Sequence, residues 1–194
     1  MIYTAITGGK DNPRDDIKCF TEYDKFTEPR RNARYYKALS HIHINEEYSL
    51  WTDGNIKLKV SEEELIKLMG DYDVLAFNHP YKRDCVYQEA KECKNLGLDF
   101  PEIIDEQVSR YRAEGFKEHQ GLWHTCTILR RHTPEVKRMN EKWWAEICRG
   151  SLRDQISFPY VFAGKVKTIE IDGHPFDNKW FKREPHKITR NGRI

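Results

Sequence analysis

The chain has 194 residues, enough for one domain of ordinary size with a short appendage. Hydrophobic residues make up 38% and charged residues 33%, but nine Phe, five Trp and ten Tyr supply the large apolar area a core needs. That aromatic content excludes an intrinsically disordered chain, and a net charge of +2 excludes a polycation.

Met1–Ile6 is rich in β-branched residues and reads as a strand, stopped by Thr7-Gly8-Gly9. Asp16–Thr21 reads as a second short strand. After an Arg-rich stretch from Pro29, Ala38, Leu39 and Ile42 fall about one turn from Tyr35, which predicts a helix over 32–42. Tyr48–Trp51 is an apolar strand ending at Thr52-Asp53-Gly54-Asn55. Ser61 caps the next helix, with Glu64 completing a capping box and Gly70 closing it. Asp73–Asn78 is a strand that runs into His79-Pro80. Helices follow at 85–96 and 102–114, then a strand at 125–130 and a long helix at 134–148. Ser151 opens a last helix that ends before Pro159. Strands alternating with helices define an α/β layered domain.

The five cysteines (19, 85, 93, 126 and 148) are scattered and include no CxxC pair. That pattern argues against a zinc knuckle or a dithiol and fits a reducing compartment, so a cytoplasmic location is expected. No apolar run reaches the roughly 18–20 residues of a membrane span, and the first residues do not read as a signal peptide. From Lys165 to Ile194, eight Lys/Arg stand against four Asp/Glu. This basic segment is suited to phosphate, on a nucleotide or on a nucleic acid.

Asp53-Gly54-Asn55 directly follows an apolar strand. In open α/β sheets, ligands bind outside the carboxyl ends of strands. Two oxygen ligands separated by glycine can face one cation, and Mg²⁺ or Mn²⁺ held there would bridge the phosphates of a sugar nucleotide. Taken alone, the same tripeptide is also an ordinary hairpin loop.

YSLWTDGNIKL (Tyr48–Leu58) resembles the central motif of a glycosyltransferase-like family known from plant mucilage- and pectin-related proteins, with bacterial and phage relatives. YTAITGGKD (Tyr3–Asp11), KCFTE (Lys18–Glu22), RNARYYK (Arg31–Lys37), NHPYKRDCVYQEA (Asn78–Ala90) and WWAEICRGSLRDQISFPYV (Trp143–Val161) resemble further blocks of that family in the same order. Glu22 stands where the family usually has Asp. The resemblance covers residues 1–163 and leaves 164–194 as a basic C-terminal segment. It implies a single compact GT-A-type domain, with a mostly parallel sheet flanked by helices, a nucleoside-diphosphate sugar as donor and usually a divalent metal. The resemblance leaves the acceptor open; a hydroxyl on a glycan, on a small molecule or, from the basic C-terminal segment, on a modified base in DNA is expected. The alternative is a non-catalytic nucleotide- or glycan-binding module that keeps the fold, favoured by Asn55 where a second Asp would bind metal more strongly.

On that footing, Thr4, Ala5, Ile6, Thr7 and Gly8 are expected to wrap the nucleoside. Arg31, Arg34 and Lys37, three residues apart, are expected to form a cationic stripe that clamps the diphosphate. Asp53, Gly54 and Asn55 complete the donor site, with Asp53, Asn55 and a late histidine as metal ligands. His186 is favoured over His174 for that third place. His79, Arg153, Gln155 and Trp144 are expected around the sugar or acceptor. Asp154, near a helix N-terminus that keeps it ionised, is the expected catalytic carboxylate.

Overall fold

The structure, a computed structural model, describes residues 1–9, 11–22 and 24–187. Its centre is a six-stranded sheet in the order β2-β1-β3-β6-β5-β7. The strands are β1 (Ile2–Ala5), β2 (Lys18–Phe20), β3 (Tyr48–Thr52), β5 (Val74–Asn78), β6 (Trp123–Arg131) and β7 (Val166–Ile169). Five of them share one direction and β6 runs against them, pairing antiparallel with both β3 and β5. The α/β expectation holds, with a sheet that is mostly parallel.

Period-2 alternation sends neighbouring residues to opposite faces. Tyr3, Ala5, Trp51, Val74, Ala76 and Ile128 face one core. That core is closed by α1 (Pro29–Ala38), α6 (Pro134–Arg149) and α7 (Asp154–Phe162). Leu50, Leu75, Phe77 and Leu129 face the other. There they meet Leu65 and Met69 of α3 (Glu62–Met69) and a two-stranded sheet of β4 (Ile56–Leu58) and β8 (Phe181–Arg183). A third cluster joins α4 (Val86–Asn95) and α5 (Pro101–Ala113) to Ile156 of α7.

Four expectations need correction. The helix expected over 32–42 starts at Pro29, with Glu28 accepting from Arg31 N, and breaks at Leu39 before the short α2 (Ser40–His43). The break has a physical cause: the buried Arg130 guanidinium donates to the carbonyls of Lys37 (2.6 Å) and Ala38 (3.1 Å), taking over the helix's last acceptors. Second, Ser151 does not cap α7. Its hydroxyl donates to Asp99, and Arg153 holds the N-cap position. Third, α7 continues through Pro159, because Ile156, Ser157, Phe158, Pro159 and Phe162 are all buried and aromatic packing outweighs one missing N–H. Fourth, the chain after residue 163 is woven into the fold: β7 pairs with β5, and β8 pairs with β4.

Candidate donor site at the carboxyl edge of the sheet

A cleft of about 580 Å³ opens where β1 and β3 end and β6 begins. Ala5, Ile6, Thr7 and Gly8 form one wall. Gly8 has φ +81°, and a Cβ there would fall 2.6 Å from Pro29 Cβ, so only glycine lets the loop lie against the start of α1. The Asp53–Asn55 loop forms the floor. A Cβ on Gly54 would sit 2.8 Å from Ile6 Cγ1, so glycine permits the close approach of these two strand ends. The loop is tied to β6 by Asp53 N donating to Cys126 O at 2.8 Å. Asp53 Oδ1 accepts from Trp51 Nε1 at 2.8 Å.

The third wall is cationic. Arg30, Arg34, Arg153 and Arg183 all line the cleft. Arg34 Nε lies 3.0 Å from Asp154 Oδ1, an ion contact without hydrogen-bond alignment. Lys37 is not part of an exposed stripe. It is 1% exposed, with Nζ 2.6 Å from Asp154 Oδ2 and 3.4 Å from Asp53 Oδ1. Asp154 itself lies behind these cations, off the cleft wall, and also accepts from Thr125 Oγ1 at 3.2 Å. Burial would raise its carboxyl, but Arg34 and Lys37 overcome that and hold it well below the usual carboxylate range. So acidic a group is a poor proton acceptor, and in this geometry its carboxylate contacts two cations.

The C-terminal segment closes the fourth side. Glu184 N donates to Asn55 O at 2.7 Å, and Asn55 Nδ2 donates to Glu184 O at 3.0 Å. This places His186 Nε2 3.4 Å from Asn55 Nδ2 and His186 Nδ1 2.8 Å from Asp11 Oδ2. A carboxylate on Nδ1 favours the tautomer with the proton there and a lone pair on Nε2, which is the arrangement of a metal-ligating histidine. Asp53, Asn55 and His186 thus share one side of the cleft. Among the described residues no set of three His, Cys, Asp or Glu side chains converges on a metal position. One carboxylate, one amide and one imidazole nevertheless suit a hard cation that completes its shell with phosphate oxygens and water.

The remaining expected residues scatter. Thr4 and Gln155 are buried, and Thr4 Oγ1 and Gln155 Nε2 have no partner among the described residues. Arg31 is half-buried away from the cleft wall. Trp144 packs on Phe26 and Tyr35, with ring centroids 5.4 and 5.5 Å apart, on the outside of α1 and α6. His79 is 4% exposed and lines a second cleft of about 630 Å³ with Asn78, Arg83, Trp123 and Glu170. His174 is exposed and bonds to Phe176 N. Sequence reasoning missed Asp11, Arg30, His124, Cys126 and Arg183 as cleft residues. The one available signal was the basic C-terminal segment, to which Arg183 belongs. Arg190 and Arg193 lie outside the described residues, and no helix of the described chain is long and apolar enough to cross a membrane.

The family described as TOD1/MUCI70, glycosyltransferase-like domain, matches residues 20–187, so the block Tyr3–Asp11 precedes the matched span. Over 147 residues the chain is 33% identical to a probable hexosyltransferase, MUCI70, of Arabidopsis thaliana. That match covers 70% of this chain and 25% of the relative, so the chain spans about a quarter of that protein's length. A glycosyltransferase involved in glycosylation of the major capsid of PBCV-1 is similar in structure at a TM-score of 0.46, with 9% identity over 87% of this chain and 81% of that one. Matched from β2 to the end of the described residues, the chain belongs to the TOD1/MUCI70 glycosyltransferase-like domain family.

Proposed function

We propose that the chain transfers a sugar from a nucleoside-diphosphate donor to a hydroxyl acceptor. The supporting observation is the cleft at the sheet's carboxyl edge, with a metal-suited side at Asp53, Asn55 and His186 and an arginine wall at Arg30, Arg34, Arg153 and Arg183. Its volume of about 580 Å³ is ample for a nucleotide sugar. The nucleoside lies along Ala5–Gly8, and the diphosphate crosses the Asp53–Asn55 loop toward Arg34. Asp154 and Lys37, both buried, fix Arg34 and Asp53 before the donor arrives, so the groups that hold the diphosphate are already in place when it binds. Mn²⁺ or Mg²⁺ held by Asp53, Asn55 and His186 would supply further neutralisation of that leaving group. A hexose is the sugar to test first, by likeness to the hexosyltransferase relative. The acceptor stays a hydroxyl of unspecified origin. Among the described tail cations, Lys165 and Lys182 are paired with Glu135 and Glu184, and Arg183 lines the cleft.

The test is a panel of nucleoside-diphosphate sugars, scored for thermal stabilisation and slow hydrolysis with and without MnCl₂. At least one donor is expected to stabilise the protein and be hydrolysed, and Asp53→Asn should abolish both. A panel with no response, or an unchanged response in Asp53→Asn, overturns the proposal. Binding without hydrolysis or transfer identifies a non-catalytic module.

A further inference from the structure

β6 is nine residues long and central in the sheet, yet its pairing with β5 is broken near its start. Ala76 stands opposite Ile128, but the next residue, Phe77, stands opposite His124. One step on β5 is matched by four on β6. Such a bulge re-aims side chains, and here it does so at the rim of the donor cleft. The Thr125 hydroxyl turns to Asp154, the Cys126 carbonyl takes the Asp53 amide, and the side chains of His124 and Cys126 line the cleft. Trp123, one residue earlier, lines the second cleft. The start of β6 is therefore the partition between the two.

The His124 ring is held firmly. Phe176 and Phe181 flank it at centroid distances of 5.6 and 5.9 Å, and Nδ1 lies 3.1 Å from Cys126 Sγ. Nε2 has no hydrogen-bond partner among the described residues. The acids around the cleft are all engaged. Asp11 bonds to His186 and Lys187 N, and Glu28 to Arg30 and Arg31 N. Asp53 bonds to Trp51 and Lys37, and Asp154 contacts Arg34, Lys37 and Thr125.

We propose that His124 is a catalytic residue that touches the acceptor, with Nε2 receiving the proton of the attacking hydroxyl. This rests on the transfer reading above. The acceptor oxygen bonds to the anomeric carbon, the bond from that carbon to the diphosphate oxygen breaks, and its electron pair leaves with the nucleoside diphosphate. The hydroxyl proton ends on Nε2, in the tautomer that carries its resting proton on Nδ1, 3.1 Å from the Cys126 sulfur. Burial keeps the free imidazole neutral, down to about 4, with Asp53 the strongest opposing influence. A neutral imidazole keeps a lone pair open to a proton at neutral pH. An acceptor that enters the donor cleft meets this ring on the cleft wall.

Two measurements test the assignment. Imidazole ¹⁵N spectra of the wild-type protein should show His124 protonated at Nδ1 and bare at Nε2, and the opposite tautomer overturns the proposal. Donor hydrolysis, in which water is the acceptor, is then compared in wild type, His124→Ala and His124→Gln. The expected outcome is a kcat lower by about 10²- to 10⁴-fold. Donor KM and calorimetric affinity for UDP, GDP and ADP should be unchanged, and added imidazole should restore part of the His124→Ala rate. Wild-type turnover in both variants overturns it, as does a rate loss matched by an equal loss of nucleotide affinity. If wild type neither binds nor hydrolyses any donor, the transferase reading itself fails, and that result is distinguishable from the others.

Discussion

Replacing Lys37 by Met removes the cation between Asp154 and Asp53 while keeping the length of the side chain. Lys37 Nζ lies 2.6 Å from Asp154 and 3.4 Å from Asp53, above the Trp51 ring. Removing one partner of a buried pair costs about 3–5 kcal/mol, because the surviving charge stays buried. Arg34 still lies 3.0 Å from Asp154, so the low end, about 3 kcal/mol, is expected. That is a large fraction of a native stability of roughly 5–15 kcal/mol and is readily measured by urea denaturation at pH 7. The pH dependence has a fixed sign. The Asp154 carboxyl is depressed in the folded state, so its contribution is fully present above the unfolded value of about 3.9 and is lost as pH falls through the folded one. The gap between wild type and Lys37→Met should therefore narrow below about pH 4. Adding Asp154→Asn neutralises the stranded carboxylate, so Lys37→Met/Asp154→Asn should be more stable than the sum of the two single losses. Additive losses, or a Lys37→Met cost under about 1 kcal/mol, would refute the bridging role.

Gly54→Ala places a methyl 2.8 Å from Ile6 Cγ1. It should cost about 1–3 kcal/mol by overpacking and weaken donor binding, and Ile6→Ala should relieve part of the loss in the double variant. Arg130→Met leaves the buried carbonyls of Lys37 and Ala38 without their donor. It should lower stability by about 3 kcal/mol or more in chemical denaturation, with the loss falling on the α1 end that aims Lys37. Trp144→Ala removes a ring packed on Phe26 and Tyr35 outside the cleft. It should cost about 2 kcal/mol of stability and leave nucleotide affinity unchanged in calorimetry.

The strands that carry the site were legible because β1, β3 and β5 are apolar runs ended by turn residues, and Asp53 stands just past one of them. The cationic helix was legible in existence but not in aim. Positions three apart on an α-helix drift by about 60° per step, so Arg31, Arg34 and Lys37 sweep about 120° around the axis. Arg31 therefore points away, Arg34 reaches the cleft wall, and Lys37 turns inward to Asp154. Trp143 and Trp144 separate in the same way, one into the core and the other onto an outer aromatic cluster. β4 and β8 left no trace, because three-residue strands show no period and their partners lie more than 120 residues apart. His124 was invisible for a different reason: only the bulge opposite Phe77 turns it into the cleft, and a bulge has no signature in WHTCTILRR.

Two roles for Asp154, base and anchor, predict different kinetics, and measurement can separate them. A carboxylate acting as general base changes the chemical step, so Asp154→Asn would lower kcat by about 10²- to 10⁴-fold with donor KM little changed. An anchor acts on the ground state and the transition state alike. Without its charge, Arg34 and Lys37 lose the contacts that hold them, and the diphosphate meets a looser wall. Asp154→Asn should then raise donor KM by about tenfold and hold kcat within about threefold. Because the carboxylate is 2% exposed, depressed in pKa and shielded by two cations, the KM effect is the expected one. A collapse of kcat at constant KM would return Asp154 to the reacting atoms and leave His124 without the proton.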